Sequence, residues 1–350
     1  MRNRARQGLG VLVMLAGLWL LPGVGAGEAE AQVISRSGTS AGQFLTIPVG
    51  ARAAALGSAV TATAEDATAL FWNPGALALA DRQVMVEHAE WFPGLSHNFA
   101  GVVLPLPNKA VVGLHVVALS VDDMEETTFD QEEGTGRFFS AGSYTVGVSY
   151  AQFLMDDFAF GGTIKYVHES IDNSSAGGFA IDLGTHFVTP FDGIRFGVRL
   201  ANFGEKLNID GRDLTTTVDI DPGSQGNNNQ IDARLDTDDF DMPLMLQVGL
   251  AWDAVQSREL RATVMADGVS PSDDKQSVNV GVELAFFEEL FALQAGLGEL
   301  FKGDDRMNRY AFGGQVAYSL QSGVKLNIGY ALSDHKFLGL TNRFSLKIGF

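Results

Sequence analysis

Gly38-Thr39-Ser40-Ala41-Gly42 has the G-x-S-x-G spacing of a hydrolase nucleophile, where a serine attacks an ester or amide carbonyl from a sharp strand-to-helix turn. That chemistry needs the turn itself, and here no strand pattern precedes the motif and no helix pattern follows it. The six histidines (His88, His97, His115, His168, His186 and His335) are scattered, with no i, i+2 or i, i+4 pair to hold a metal. There is no G-x-G-x-x-G or phosphate loop, and no cysteine for thiolate or disulfide chemistry. The residues therefore predict no catalytic, cofactor-binding or metal site, and a chain that is not an enzyme. What remains is charge. Asp122, Asp123, Glu125, Glu126, Asp130, Glu132 and Glu133 crowd one segment, and Asp236, Asp238, Asp239 and Asp241 end another, after a Gly/Asn stretch at Gly223–Asn229. Such runs read as solvated loops. The sharper reading is a divalent-cation site bridging these carboxylates or nearby lipid phosphates, although the chain lacks a twelve-residue calcium loop.

The elements around these residues carry more information. In Thr341–Phe350, Phe344, Leu346, Ile348 and Phe350 fall on one face, and Arg343, Ser345, Lys347 and Gly349 on the other. A period of two is a strand, because successive side chains point to opposite sides of the pleat. A face carrying Arg and Lys is no dry core, and the aromatic-aliphatic face must meet something apolar. A barrel with lipid outside and a polar lumen satisfies both. The same alternation recurs in Tyr144/Val146/Val148/Tyr150, in Ile194/Phe196/Val198/Leu200 and in Val278/Val280/Val282/Leu284/Phe286. The interleaved positions supply the expected lumen-facing charges: Lys165, Asp182, Arg195, Arg199, Arg261, Glu283, Lys325 and Lys347. Glu283 is expected to keep water and basic neighbours such as Arg261 or Lys325. His115 and His186 are also expected to face inward, where a barrel phospholipase would keep its Ser/His pair.

Fourteen such segments are read at 82–92, 96–106, 109–120, 143–153, 157–169, 176–188, 194–203, 242–252, 258–267, 276–286, 290–298, 308–319, 322–332 and 341–350. The connections sort by length, as bacterial barrels do. Pro105–Asn108, Leu154–Asp156, Thr189–Gly193, Asp253–Ser257, Phe287–Glu289 and Leu320–Gln321 are short. The interleaved Val121–Gly142, Gly204–Asp241, Gly268–Lys275 and Glu299–Met307 are longer, with Pro93–Leu95 the exception. Short turns then belong to the periplasm, along with both termini. The outer membrane of a Gram-negative-type bacterium is the expected location, with lipid and lipopolysaccharide around the wall.

Composition agrees. Arg2, Arg4 and Arg6 precede an apolar Val11–Leu21, and Ala29-Glu30-Ala31 reads as a cleavage site, so residues 1–31 are a signal peptide. That apolar run is too short to span, and no other stretch is long enough, so any span must be made of strands. Among the 350 residues are 41 glycines and 24 phenylalanines, suiting small lumen residues and a lipid-facing aromatic band. Mean hydropathy is +0.09, as alternating faces give. Net charge is −18, and losing the three Arg and two Glu of the signal peptide makes it −19, a surface that repels nucleic acid.

Residues 32–80 do not alternate and form the expected hatch segment, ahead of a barrel at 81–350. Thr63 is read as capping a helix, with Asp66 three residues on and Ala67, Leu70 and Phe71 along one side. Asn73-Pro74-Gly75 would stop that helix. Gly50-Ala51-Arg52, Leu56-Gly57-Ser58-Ala59, Glu65-Asp66-Ala67 and Leu70-Phe71-Trp72-Asn73-Pro74-Gly75 resemble the N-terminal signature of the PorV/PorQ family, within the wider FadL-like superfamily of fourteen-stranded outer-membrane barrels. That family usually reads Asn-Pro-Ala-Gly, whereas Asn73-Pro74-Gly75-Ala76 swaps the last two. The resemblance implies an all-β transmembrane antiparallel barrel whose small, partly helical hatch sits in or under the lumen, with Asn73, Pro74 and Gly75 at its turn. It implies a non-enzymatic type IX secretion component that binds or shuttles cargo signal domains, with a translocon and a sortase as partners. The FadL-like alternative is a passive channel for hydrophobic small molecules. The terminal Phe344, Leu346, Ile348 and Phe350 look like the signal read by the barrel insertion machinery.

Overall fold

The computed structural model describes residues 38–320, except 221, 222 and 224–229, and residues 323–350, except 338. The expected signal peptide, residues 32–37 of the hatch segment, most of Gly223–Asn229 and Gln321 lie outside the described residues. Among the described residues no helix is long and apolar enough to cross a membrane, which leaves spanning to strands.

Fourteen antiparallel strands close into a barrel. They are β1 (Gln83–Phe92), β2 (Leu95–Pro105), β3 (Ala110–Val121), β4 (Ala141–Phe153), β5 (Phe158–Ile171), β6 (Ser174–Val188), β7 (Ile194–Gly204), β8 (Met245–Gln256), β9 (Leu260–Pro271), β10 (Ser277–Phe286), β11 (Phe291–Leu300), β12 (Asn308–Ser319), β13 (Lys325–His335) and β14 (Gly339–Gly349). Each pairs with its neighbours in sequence, and β14 returns to β1, with Gln83 opposite Gly349 and Glu90 opposite Asn342. Closure leaves no edge with unpaired backbone groups in the bilayer. The alternation read from the sequence becomes two faces. Tyr144, Val146, Val148 and Tyr150 are exposed on β4, while Thr145, Ser149 and Ala151 are buried. Aromatic pairs gather at both ends of the outer face, such as Tyr166 with Phe179 at one and Phe158 with Phe187 at the other. Such girdles mark the two interfaces of a membrane barrel.

One end carries short turns. The other carries residues 122–140 and 205–244. Length sorts less cleanly than expected, because β5, β6, β13 and β14 run further than the sequence pattern suggests. The connections 172–173 and 336–338 at the long-loop end are consequently tight. Both long loops carry a strand pair among the described residues. Met124–Glu125 pairs with Phe138–Phe139, and Thr215–Val218 pairs with Ile231–Arg234.

Inside the wall, the chain from Gly38 to Ala80 holds only short helical turns, at Ala51–Ala55 and Ala69–Trp72, with 3-10 turns at Gln43–Thr46 and Ala76–Leu79. This segment supplies most of the buried apolar core, Val49, Leu56, Val60, Leu70 and Leu77 among it. The helix read from Thr63 does not form. Thr63 is buried against the Met265 sulfur, and the helix starts at Ala69 with no side-chain cap. Asp66 instead accepts bonds from the Thr68 backbone N (2.9 Å) and hydroxyl (2.6 Å), a local turn that competes with helix. The stop is as read: Asn73 follows the last helical residue in an extended conformation.

Candidate functional site: hatch, lumen and rim

The hatch crosses the lumen from end to end. At the long-loop end, the Ala41 N–H donates to the Asp241 carbonyl (3.0 Å), Gly42 N–H to Glu169 (3.0 Å), and the Gln43 amide to Asp273 (2.7 Å), which also accepts from the Ser40 hydroxyl. At the short-turn end it runs into β1, where Phe350 N–H bonds the Arg82 carbonyl (3.2 Å). Between these ends, wall glycines let the two backbones touch. A Cβ at Gly161, Gly184, Gly197, Gly281, Gly296 or Gly313 would fall within 3 Å of hatch atoms, which is closer than real Cβ atoms approach. The glycine abundance seen in the sequence therefore serves close approach more than open lumen space.

Ion pairs, buried or part-buried, fix the hatch to the wall. Arg52 donates to both Glu283 oxygens (2.6 and 3.1 Å), and Arg261 reaches the same carboxylate (3.1 Å). Glu283 is fully buried, not watered as expected, and Lys325 lies apart from it, exposed at the short-turn end of β13. Burial works against the charge of Arg52, yet Glu283 outweighs it and holds the guanidinium above its ordinary pKa. Arg195 bridges Glu65 of the hatch (2.6 Å) and Asp253 of the wall (2.9 Å). Lys347 reaches Asp66 (2.9 Å), and Arg343 pairs with Glu87, whose other oxygen accepts the Gly50 N–H. Burial pushes the Asp66 carboxyl up, but Lys347 and the Thr68 bonds outweigh it and hold it well below the usual carboxylate range.

The hatch turn is an organised part of this lock. Asn73 is fully buried, and its amide donates to the carbonyls of Thr61 (2.7 Å) and Thr185 (2.9 Å) while its own oxygen accepts the Gly75 N–H (3.0 Å). Of the other expected lumen charges, Lys165 donates to Asp182 (2.8 Å) and Asn202 (2.5 Å), and Arg199 lies over the Phe71 ring with 5.0 Å to its centroid. Arg195, Arg261 and Lys347 are part-buried on the inward face. Phe344, Leu346 and Phe350 are exposed on the outer face, in phase with Ile348. Sequence reasoning met Arg52, Glu65 and Asp66 only as family-motif and helix-start residues, and passed over Glu87 and Asp253, so none was seen as a partner in these pairs. The usable signal was the inward phase of Glu87 and Asp253 on alternating strands.

The motifs that could have done chemistry are placed otherwise. Ser40 is not on a nucleophile turn; it bridges Asp241 and precedes a 3-10 turn. His115 stacks on Phe99 and His186 meets the Ala62 carbonyl (3.2 Å), so both are inward, as expected, and packed. Among the described residues, no three His, Asp or Glu converge to hold a metal ion. The acidic loop 122–140 holds a hairpin whose tip residue, Phe129, is 94% exposed.

A closed, girdled fourteen-strand wall with an N-terminal hatch in its lumen is an outer-membrane β-barrel. The family model for the type IX secretion system protein PorV matches residues 29–221, and the chain belongs to that family. No curated protein sequence matches it. Solved structures share its fold, three of them as follows. A Pseudomonas aeruginosa FadL homologue (12% identity, TM-score 0.54) covers 87% of this chain and 98% of its own. The Pseudomonas putida toluene transporter TodX (12%, 0.53) covers 86% and 96%, and the Ralstonia pickettii toluene transporter TbuX (12%, 0.52) covers 86% and 97%.

Proposed function

We infer that the protein is a non-enzymatic component of a type IX secretion route, whose plugged barrel anchors an acidic rim that holds exported cargo at the cell surface. The observation that carries this reading is the lumen itself, filled by a hatch on touching backbones, beneath two long loops that each carry a strand pair among the described residues. A sealed wall suits an anchor better than a conduit. In this reading the long loops face outward, with Arg82 and Phe350 periplasmic. The first described hatch residues, Gly38–Gln43, then lie on the outer side, unlike the periplasmic N-terminus expected from the sequence. Cargo signal domains, a translocon and a sortase are the partners; lipid and lipopolysaccharide surround the wall. Phe344, Leu346, Ile348 and Phe350 serve the insertion machinery.

Replacing residues 126–136 by a short Gly/Ser turn tests it, because the strand pairing of β3 with β4 lies outside that segment. The variant should fold, stay in the membrane and lose retention of secreted proteins at the surface. Unchanged retention would overturn the proposed role. The FadL-like reading, passive passage of hydrophobic molecules, draws on a cavity of about 330 Å³ beside Phe71 and Trp72. A full knockout with normal surface display but impaired growth on apolar carbon sources would favour it instead.

A further inference from the structure

Two pairs of neighbouring wall strands are poorly held by chain connectivity. β1 and β14 come from the two ends of the barrel sequence, with Gln83 opposite Gly349. β7 and β8 are separated by the longest connection, residues 205–244. Tight turns pre-position most of the other pairs, whereas a long connection leaves more entropy to be overcome at closure. These two seams divide the wall into β1–β7 and β8–β14, seven strands each.

An ion pair crosses each seam on its inward face. Arg343 of β14 meets Glu87 of β1, and Arg195 of β7 meets Asp253 of β8 (2.9 Å). Such pairs are not confined to seams, because Lys165 meets Asp182 across β5–β6 and Arg261 meets Glu283 across β9–β10. What joins the two seams to each other is one hatch segment, Glu65-Asp66-Ala67. Glu65 accepts the other Nη of Arg195 (2.6 Å), Asp66 accepts Lys347 of β14 (2.9 Å), and the Ala67 N–H donates to Gln83 of β1 (3.2 Å). Three consecutive residues thus reach one seam at β7 and the other seam on both of its strands. β7 and β14 lie half the circumference apart in the strand order. The Asp66 carboxylate is itself fixed by the Thr68 N–H (2.9 Å) and hydroxyl (2.6 Å). The Gly50 N–H adds a second hatch contact at β1–β14 by donating to Glu87.

We propose that Glu65-Asp66-Ala67 is a crossbar that clamps both seams, and that the two seven-strand halves close over a docked hatch. Opening either seam draws Arg195 or Lys347 away from adjacent carboxylates and breaks charge-assisted bonds shielded from bulk water. Because the two carboxylates are neighbours in the chain, strain at one seam is felt at the other. The role concerns closure of the wall and is independent of the secretion role.

Hydrogen exchange in the purified full-length barrel, inserted in lipid vesicles and followed strand by strand by mass spectrometry, tests the crossbar. In Glu65→Gln/Asp66→Asn, amides paired across β1–β14 and β7–β8 should exchange about tenfold faster or more. Amides paired across β4–β5 and β11–β12, to which the three residues make no hydrogen bond among the described residues, should keep their native rates. Unchanged seams, or equal acceleration in all four pairs, would overturn the crossbar. Cysteine pairs on the lipid face, Val86→Cys/Leu346→Cys and Val198→Cys/Val248→Cys, occupy directly opposed positions and staple the seams when oxidised. In the stapled barrel the two carboxylate substitutions should no longer change seam exchange, and a persistent change would count against the crossbar. Should the unstapled variant fail to fold, the stapled one decides. It should fold, and its failure would overturn seam closure as the task of these carboxylates.

Discussion

Glu283 condenses the difference between a charge on a wet lumen and a charge in a lock. Glu283→Gln leaves Arg52 and Arg261 facing a neutral group in a dry site, and breaking a buried pair in this way costs about 3–5 kcal/mol. Val280→Arg, on the lipid face of the same strand, costs about 2–4 kcal/mol near the bilayer midplane. Equilibrium refolding into lipid vesicles should therefore show Glu283→Gln at least as damaging as Val280→Arg, the reverse of what strand alternation alone predicts. A nearly silent Glu283→Gln would mean that water reaches the pair. Asp66 sets a pH dependence. Its folded pKa lies below the unfolded one, so its contribution is complete above the ordinary carboxylate range and is lost as pH falls below about 4. Protease protection of the hatch should drop between pH 5 and about pH 3 in the native chain. Lys347→Met should lose part of that protection already at neutral pH and show a smaller acid-induced change. Equal acid profiles in the two proteins would remove Asp66 from the account.

At the scale of elements, the hatch is held by surface fit as much as by charge. Gly296 faces the Leu56 backbone and Gly184 faces Asn73, with no room for a side chain at either position. Gly296→Leu cannot be absorbed by a wall whose strands are pinned on both sides, so the hatch must give way. The wall should still form, because its ladder bonds are untouched, while residues 44–80 become sensitive to protease in the inserted barrel. A protease-resistant hatch in that variant would show that the wall bends instead. The Asn-Pro-Gly-Ala order fits this account: Gly75 packs on the Gly184 and Thr185 backbone, where a Cβ would clash. At that position the chain's own order is the one its wall accepts.

For the whole molecule, the ends of the barrel define the topology. Because the chain has no cysteine, single cysteines report accessibility without background. In intact cells an impermeant thiol reagent should label Asp130→Cys and Thr39→Cys, and should leave Asn108→Cys and Asp192→Cys unlabelled until the outer membrane is opened. Thr39 discriminates most, because its neighbours Ser40 and Ala41 are bonded at the long-loop end while the chain reaches β1 at the other. Labelling of Asn108→Cys in intact cells would invert the barrel. Protection of Thr39→Cys alongside labelling of Asp130→Cys would place the hatch start away from the rim.

Alternation is a local property, which is why Phe344, Leu346, Ile348 and Phe350 could be assigned to lipid, and Arg199, Glu283 and Lys347 to the inside, from the sequence alone. A side chain's face follows from its parity in a strand, and parity needs no knowledge of any other strand. The fourteen segments, the stop at Asn73 and the family resemblance were legible for the same reason. Which inward charge meets which depends on barrel closure and on the path of the hatch. Arg52 lies 231 positions from Glu283, Lys347 lies 281 from Asp66, and Arg343 lies 256 from Glu87. No local pattern encodes pairs at that separation. Thr63 misled for the complementary reason: a capping signal is local, and burial against Met265 outweighed it. Strand order, wall glycines and hatch had to meet before the lumen could be known as filled.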